Sequence, residues 1–268
     1  MELVSDSVDL TPVEHRGHLW LKRDDLFTVA GAIGGKARTC WALAQGAKGL
    51  VTASNRHSPQ AIIVSAIAHH LGIPARIHLP TGETTPEMQM AEAAGAVFIR
   101  HRNGRNSVIV ARARTDAVEQ GYKEIPFGMN SLQAIEGTAN QVRNLPKRKQ
   151  INRIVMPVGS GMSLSGVLTG LQRHRPDLND VPVLGIQVGA ARTKVLNRAA
   201  PFGWQGRCTL LFSGVDYSVP VDARIDGILI DPFYEAKCIP FLKDNDVFWI
   251  VGIRPQPPVV RTRLIGGA

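Results

Sequence analysis

A lysine stands directly after two glycines in the segment IGGKAR, residues 33–38, where a charged strand end gives way to a helical pattern. Glycine lets the backbone approach a bound group closely. A helix N-terminus attracts anions, and a desolvated lysine has a lowered pKa and can form a Schiff base with a carbonyl. On spacing alone Lys36 also fits a solvated lysine of the first helical turn, the commoner case. Three further turns have the same strand-to-helix setting. TASNRHSPQ, residues 52–60, offers the short polar side chains of Ser54 and Asn55, which serve equally as ordinary helix caps. GSGMSLSG, residues 159–166, follows the apolar run RIVMPV. Backbone N–H groups freed by glycine at a helix start make an anion cradle suited to phosphate. The loop has neither the lysine of a Walker A motif nor the glycine spacing of the dinucleotide fingerprint. DPFYEAK, residues 231–237, brings a phenol, Tyr234, and a carboxylate, Glu235. Its plain structural reading is an Asp231-Pro232 cap, with Glu235 favouring the helix dipole.

The elements that must position these turns follow from periodicity. Strands are expected at 18–22, 49–53, 75–79, 96–100, 153–157, 183–188, 227–230 and 247–251. Helices are expected at 37–45, 59–71, 88–94, 107–120, 132–145, 164–174 and 234–242. Residues 192–213 are broken by Pro201, Gly203 and Gly206, and the segment RPQPPVVRTRLIGGA at 254–268 has no periodicity. Alternating strands and helices indicate βαβ units and mostly parallel sheets, and apolar strands such as IVMPV suit burial on both faces. The expectation is two wound three-layer α/β lobes, with ligands outside the carboxyl ends of the strands.

Composition narrows the class. Apolar content of 44% with 20% charged residues is that of a globular chain with a real core. Cys40, Cys208 and Cys238 lie far apart and give neither a metal spacing nor a disulfide framework, which fits a reducing compartment. The N-terminal MELVSDSVDLTPVEH has no apolar core, and no apolar run reaches membrane-spanning length, so a cytoplasmic protein without membrane contact is expected. The net charge of +9 concentrates at 100–114 and 143–153. It can attract nucleic acid or anionic metabolites, but no nucleic-acid-binding motif accompanies it, and a solvated face is favoured.

Taken together the four turns resemble the fold type II, tryptophan synthase β-like, pyridoxal-phosphate enzymes, and most of all the 1-aminocyclopropane-1-carboxylate deaminase / D-cysteine desulfhydrase group. That group's TPL…KREDL…GGNKxRK appears here as TPV…LKRDDL…IGGKAR, its SNH-x-x-Q as SNRHSPQ, its IPxG as Ile125-Pro126-Phe127-Gly128, its GSGGT as Gly159-Ser160-Gly161-Met162-Ser163, and its DPVYEGK as DPFYEAK. The resemblance implies pyridoxal 5′-phosphate as cofactor. It implies that Lys36 holds the cofactor covalently, Asn55 bonds its phenolic oxygen, and Gly159, Ser160, Gly161, Met162 and Ser163 hold its phosphate. Glu235 would then face its pyridine nitrogen, while Ser54 and Tyr234 flank the substrate. It further implies a large cofactor domain, 1–39 with 128–268, and a small closing domain, 40–127, usually in a homodimer. The activity implied is that of a lyase or deaminase for a small amino acid, by deamination or β-elimination. β-Replacement, racemisation and a non-catalytic, DNA-associated descendant stay open. Four departures stand out: Gly35 replaces an asparagine, Arg56 is inserted between Asn55 and His57, VGIRPQ at 251–256 replaces an HTGG segment, and Met162 replaces a glycine. If the Met162 position requires φ > 0, the phosphate loop must be rebuilt.

Overall fold

The computed structural model describes residues 9–102 and 105–254. In chain order the strands are β1 (Val13–Arg16), β2 (Leu19–Arg23), β3 (Thr28–Val29), β4 (Ala32–Ile33), β5 (Leu50–Ala53), β6 (Ala75–Pro80), β7 (Ala96–His101), β8 (Lys123–Ile125), β9 (Arg153–Val158), β10 (Val183–Gln187), β11 (Cys208–Phe212), β12 (Arg224–Ile225), β13 (Ile228–Leu229) and β14 (Asp246–Ile250). The helices are α1 (Gly35–Ala44), α2 (Gln60–His70), α3 (Pro86–Ala93), α4 (Asn106–Gln120), α5 (Leu132–Asn140), α6 (Met162–His174) and α7 (Thr193–Ala199).

Two sheets organise the molecule. A four-stranded sheet, β7-β6-β5-β8, is parallel throughout. A six-stranded sheet runs β1-β2-β14-β9-β10-β11, parallel except for the β1–β2 hairpin. The strands of the second sheet carry the apolar runs seen in the sequence: every residue of β9 from Ile154 to Val158, and all of β10 and β14, are buried. Helices α5 and α6 cross closely through small residues. A Cβ added at Gly166 would lie 2.5 Å from Thr138 Cβ, and one at Gly170 would lie 2.3 Å from the Ala139 carbonyl oxygen. The core against the four-stranded sheet continues through α1 and α5 to Met162, so the two lobes share apolar packing.

Local chemistry sets the helix ends. Thr85 caps α3 by accepting Met88 N–H, with Pro86 at the first helical position. Ser131 caps α5 by accepting Ala134 N–H. Gly121 ends α4 in the left-handed conformation.

The structure departs from periodicity in four places. Residues 13–16 form a strand rather than coil, because β2 pairs with them across Gly17 (φ +56°). Residues 227–230 are half of a two-residue hairpin, β12–β13, and join neither main sheet. The segment Glu235–Phe241 is a 3₁₀ run containing Pro240 rather than an α-helix; proline removes the donor a regular ladder needs. The helix expected over 132–145 stops at Asn140 and continues as a 3₁₀ turn to Asn144. The aperiodic segment from 255 onward lies outside the described residues.

Candidate active site

The four turns converge on one cleft of about 650 Å³, open mouth included. It is walled by Lys36 and Gly34 from the start of α1 and by the turn between β9 and α6. Asp231, Tyr234 and Glu235 close another side, and Val251, Gly252 and Ile253 after β14 complete it. The turn after β9 and the segment after β14 lie at carboxyl ends of the six-stranded sheet, as expected for a wound parallel sheet, whereas Lys36 and the Asp231–Glu235 segment follow β4 and β13 of the two small hairpins.

Lys36 is the second residue of α1, and its placement depends on Gly34. Gly34 has φ +90°, and a Cβ there would come within 3.0 Å of Gly252 Cα. Only glycine lets the α1 loop lie flat on the segment after β14. Gly35 N–H then donates to the Val251 carbonyl at 2.9 Å and pins that contact. The Lys36 ammonium lies 5.8 Å from the Tyr234 ring centroid and bonds to none of the described residues. Desolvation lowers its pKa first and the Arg254 charge lowers it further, against partial compensation by Glu235 and Asp231. A lysine so placed is readily neutral, the form that attacks a carbonyl.

Glu235 is 3% exposed and accepts the backbone N–H groups of Val251 (3.0 Å) and Gly252 (3.3 Å) on Oε1. Glu235 belongs to the cleft wall. Burial, then repulsion from Asp231, raises its pKa well above the ordinary carboxyl value. Tyr234 is held by Asp231, whose Oδ1 accepts both Phe233 N–H (2.9 Å) and Tyr234 N–H (3.0 Å). Asp231 thus closes a turn ahead of the 3₁₀ run rather than capping a helix, since the N-cap residue of that run is Tyr234 and has no side-chain cap bond; the same residue lines the cleft. Burial raises the Tyr234 pKa, so the phenol keeps its proton; its Oη lies 3.4 Å from Tyr217 Oη.

The glycine-serine turn is a cradle. Gly159 accommodates the Tyr234 ring, since a Cβ there would meet Cε1 at 2.8 Å. Gly161 carries the left-handed backbone (φ +95°) as N-cap of α6, and Met162 is the first helical residue. The position that needs a positive φ is therefore Gly161, and the loop accommodates Met162 without rebuilding. The first ladder bond of α6 is Ser165 N–H to the Gly161 carbonyl. Among the described residues nothing accepts the N–H groups of Gly161, Ser163 or Leu164. Gly128 underpins the turn, its missing Cβ leaving room for Ser160 Cβ at 2.7 Å. Gln60 ties Gly128 to the 52–60 turn: its Oε1 accepts Gly128 N–H at 2.8 Å and its Nε2 donates to Thr52 Oγ1 at 2.7 Å.

Not every residue singled out in the sequence reaches the cleft wall. Lys36, Gly159, Ser160, Gly161, Ser163, Tyr234 and Glu235 line it; Ser54, Asn55 and Met162 do not. Ser54 is 3% exposed and its hydroxyl donates to the Asn55 carbonyl at 3.2 Å. Met162 packs into the shared core. Sequence reasoning passed over Asp231 as a cleft residue, and missed Gly252 and Arg254 altogether; the last two fall in the segment where the HTGG pattern is replaced, which was the available signal.

The donor set suits pyridoxal phosphate. Three unaccepted N–H groups at a helix start match a phosphate, a lysine readily neutral matches an aldehyde, and a buried carboxyl group in the cleft wall matches a ring nitrogen. Comparison with known proteins agrees. A family model described as pyridoxal-phosphate dependent enzyme matches residues 6–220, most of the chain. The chain is 27% identical over 207 residues to the O-seryl-dTMP PLP-dependent decarboxylase of Salmonella phage ViI, covering 65% of this chain and 48% of that protein. It is 28% identical over 187 residues to a chloroplastic biosynthetic threonine dehydratase of Arabidopsis thaliana, covering 67% and 30%. The chain thus spans about half, or less, of the length of these curated relatives. Among solved structures, an ACC deaminase homologue superposes with TM-score 0.76 at 22% identity, covering 91% of this chain and 89% of that one. Maize serine racemase gives 0.64 at 19%, covering 92% and 89%. The fold is that of the tryptophan synthase β-like enzymes, and the chain belongs to the pyridoxal-phosphate dependent enzyme family.

Proposed function

We propose that this protein is a pyridoxal-phosphate lyase or deaminase acting on a small amino acid. The observation that carries the reading is the convergence of Lys36, Glu235 and the α6 cradle on one cleft. When bound, the cofactor supplies an electron sink for negative charge on a substrate carbon. Lys36 holds the cofactor and moves a proton at the substrate's α or β carbon. Gly159, Ser160, Gly161, the Met162 backbone and Ser163 cradle the phosphate. Glu235 faces the ring nitrogen and keeps it protonated. Tyr234, a phenol at neutral pH, donates to the departing group, and Ser54 flanks the substrate, a role that requires its hydroxyl to leave the Asn55 carbonyl and turn toward the cleft. Asn55 orients the ring oxygen; this role requires its side chain to turn toward the cleft, and the small domain over 40–127 closes on the substrate carboxylate. The reading extends to a cytoplasmic homodimer; among the described residues no helix is long and apolar enough to cross a membrane.

A second substrate class has specific support. The phage relative acts on an amino acid attached to a nucleotide, as its name states, and the net charge of +9 suits an anionic nucleotide. The test is one experiment with two arms. Purified protein supplied with cofactor is expected to be yellow and to lose the band in Lys36→Ala. Free amino acids of both configurations and O-seryl-dTMP are then screened for ammonia, keto acid, sulfide or carbon dioxide release. Colourless protein sinks the enzyme reading, and turnover of the nucleotide adduct alone replaces the first substrate class by the second.

A further inference from the structure

A cofactor phosphate carries close to two negative charges at neutral pH, while a helix N-terminus offers about half a positive charge. The α6 cradle alone therefore leaves more than one charge uncompensated. Of the other cations near the cleft, one is a readily neutral lysine and one is paired. Lys36 faces Tyr234 and Glu235, and Arg254 is taken by Glu87 and Asp231.

Arg192 is differently placed: it is not part of the cleft wall and stands directly behind the turn after β9. It stands just before α7, where its backbone N–H donates to Gln187 Oε1 at 2.8 Å, fixing the segment after β10 beside the turn after β9. Its Nε donates to the Gly159 carbonyl in a short hydrogen bond. Its Cβ lies 3.8 Å from where a Gly161 Cβ would stand, with Val195 of the same segment at 3.4 Å. The remaining guanidinium nitrogens bond to none of the described residues, and no described carboxylate pairs with it, although fifteen ion pairs occur elsewhere. A half-desolvated guanidinium with no counter-ion is costly unless an anion completes it.

We infer that Arg192 is a phosphate-binding residue, adding a guanidinium to the backbone cradle of Gly159, Ser160, Gly161, Met162 and Ser163. The inference rests on that turn being the cofactor's phosphate site. Two features support it. Binding through Nε pairs the Gly159 carbonyl with the cation, so that this oxygen is not left to repel the anion. It also leaves the two terminal nitrogens free for phosphate oxygens, the planar two-point geometry in which arginine exceeds lysine. Burial lowers the Arg192 pKa, and no carboxylate opposes it.

The experiment separates the phosphate from the rest of the cofactor. Cofactor-free protein is titrated with pyridoxal 5′-phosphate and, separately, with pyridoxal, followed by visible absorbance. Arg192→Met is expected to weaken binding of the phosphate form roughly 10–100-fold and leave pyridoxal unchanged, with Arg192→Lys intermediate. In parallel, inorganic phosphate is expected to raise the melting temperature of the wild type above that in chloride of equal ionic strength, and not that of Arg192→Met. Equal weakening toward both aldehydes would mean that Arg192 only shapes the turn through the Gly159 carbonyl, and overturns the proposal; so does an unchanged preference for the phosphate form. Wild-type protein that is stabilised by phosphate through Arg192 but never turns yellow would support the proposal while sinking the role of Lys36.

Discussion

Arg254 donates to Glu87 Oε1 at 2.7 Å, joining the segment after β14 to helix α3 of the other lobe. Its Nε donates at 3.0 Å to Asp231 Oδ2 in the cleft, and its guanidinium lies 3.9 Å from the Phe233 ring centroid. The same NH1 donates to the His57 carbonyl of the 52–60 turn. One side chain thus clasps the two lobes beside the active-site turn. The three charged groups are at most 9% exposed, so removing a member leaves a buried charge without its partner. Arg254→Met strands two carboxylates and should cost about 3–5 kcal/mol. Glu87→Gln keeps a neutral acceptor and should cost about 1–2 kcal/mol. Urea denaturation of the cofactor-free protein measures both; equal costs, or costs within roughly 0.5 kcal/mol of zero, would argue against a clasp.

The left-handed backbone at Gly161 gives a second prediction. A Cβ at φ +95° is strained, although it would meet Val195 only at an ordinary contact distance of 3.4 Å. Gly161→Ala should cost about 1–3 kcal/mol and displace the N–H groups that the cradle presents. Pyridoxal phosphate affinity, measured by absorbance titration, should fall while pyridoxal affinity falls less. Met162→Gly should behave oppositely, since Met162 is helical and packed in the core: stability should drop by about 2–5 kcal/mol for lost packing, with the cradle geometry kept. A Gly161→Ala protein that binds cofactor normally would show that the turn tolerates another conformation.

Much of this site was legible because strand-to-helix turns concentrate small residues and single charges in a short window. Lys36, the 159–163 turn and the Tyr234-Glu235 pair are local patterns, and the parallel sheet brings strand ends to one edge whatever the helices between them do. What was illegible is what needs three-dimensional closure. Glu87 and Arg254 are 167 residues apart, and each alone reads as a solvated charge. Arg192 sits in a segment that has no periodicity to read. The β1 strand exists only through pairing with β2, and the turn after Tyr234 is shaped by Pro240 against an otherwise helical composition. Ser54 and Asn55 were found by type, but type does not determine side-chain direction, and neither lines the cleft.

A chain of hydrogen bonds under the four-stranded sheet makes stability pH-dependent. Arg112 donates to His101 Nδ1 at 2.9 Å, so that nitrogen must be the acceptor and His101 Nε2 must carry the hydrogen. It donates to His78 Nδ1 at 2.9 Å, and His78 Nε2–H then donates to Asp116 Oδ2 at 2.9 Å. Arg76 grips the same carboxylate through two bonds of 2.7 and 2.8 Å. Every donor and acceptor is satisfied with both imidazoles neutral, and a proton added to His101 would set two donors against each other at Arg112. Burial, then the His78 and Arg112 charges, lowers the His101 pKa below 6.5. A lowered histidine pKa means that the unfolded chain binds the proton first, so stability is full above about pH 6.5 and falls as pH drops below it. Melting temperatures should decline from pH 7 to pH 5.5, and His101→Gln should flatten that decline while lowering the value at pH 7. A wild-type curve that is flat across this window counts against the network.

Glu235 offers the sharpest separation of stability from function. Its carboxyl is buried beside Asp231, and the raised pKa means that the folded protein holds this proton after the unfolded chain has released it. Ionising it therefore costs folding free energy as pH rises above the ordinary carboxyl value, with the hydrogen bonds from Val251 and Gly252 only partly offsetting the cost. Glu235→Gln removes the titration and retains an oxygen to accept those two N–H groups. The cofactor-free variant should thus melt higher than the wild type at pH 7, with the difference closing near pH 4, where both side chains are neutral. If Glu235 faces the ring nitrogen, the same change removes the group that keeps it protonated, and turnover should drop on the order of 100-fold with the yellow band retained. A destabilised variant at pH 7 would mean that the carboxylate is worth more to the fold than burial costs it. Unchanged turnover in a stabilised variant would place Glu235 in the structure of the cleft and remove it from the chemistry.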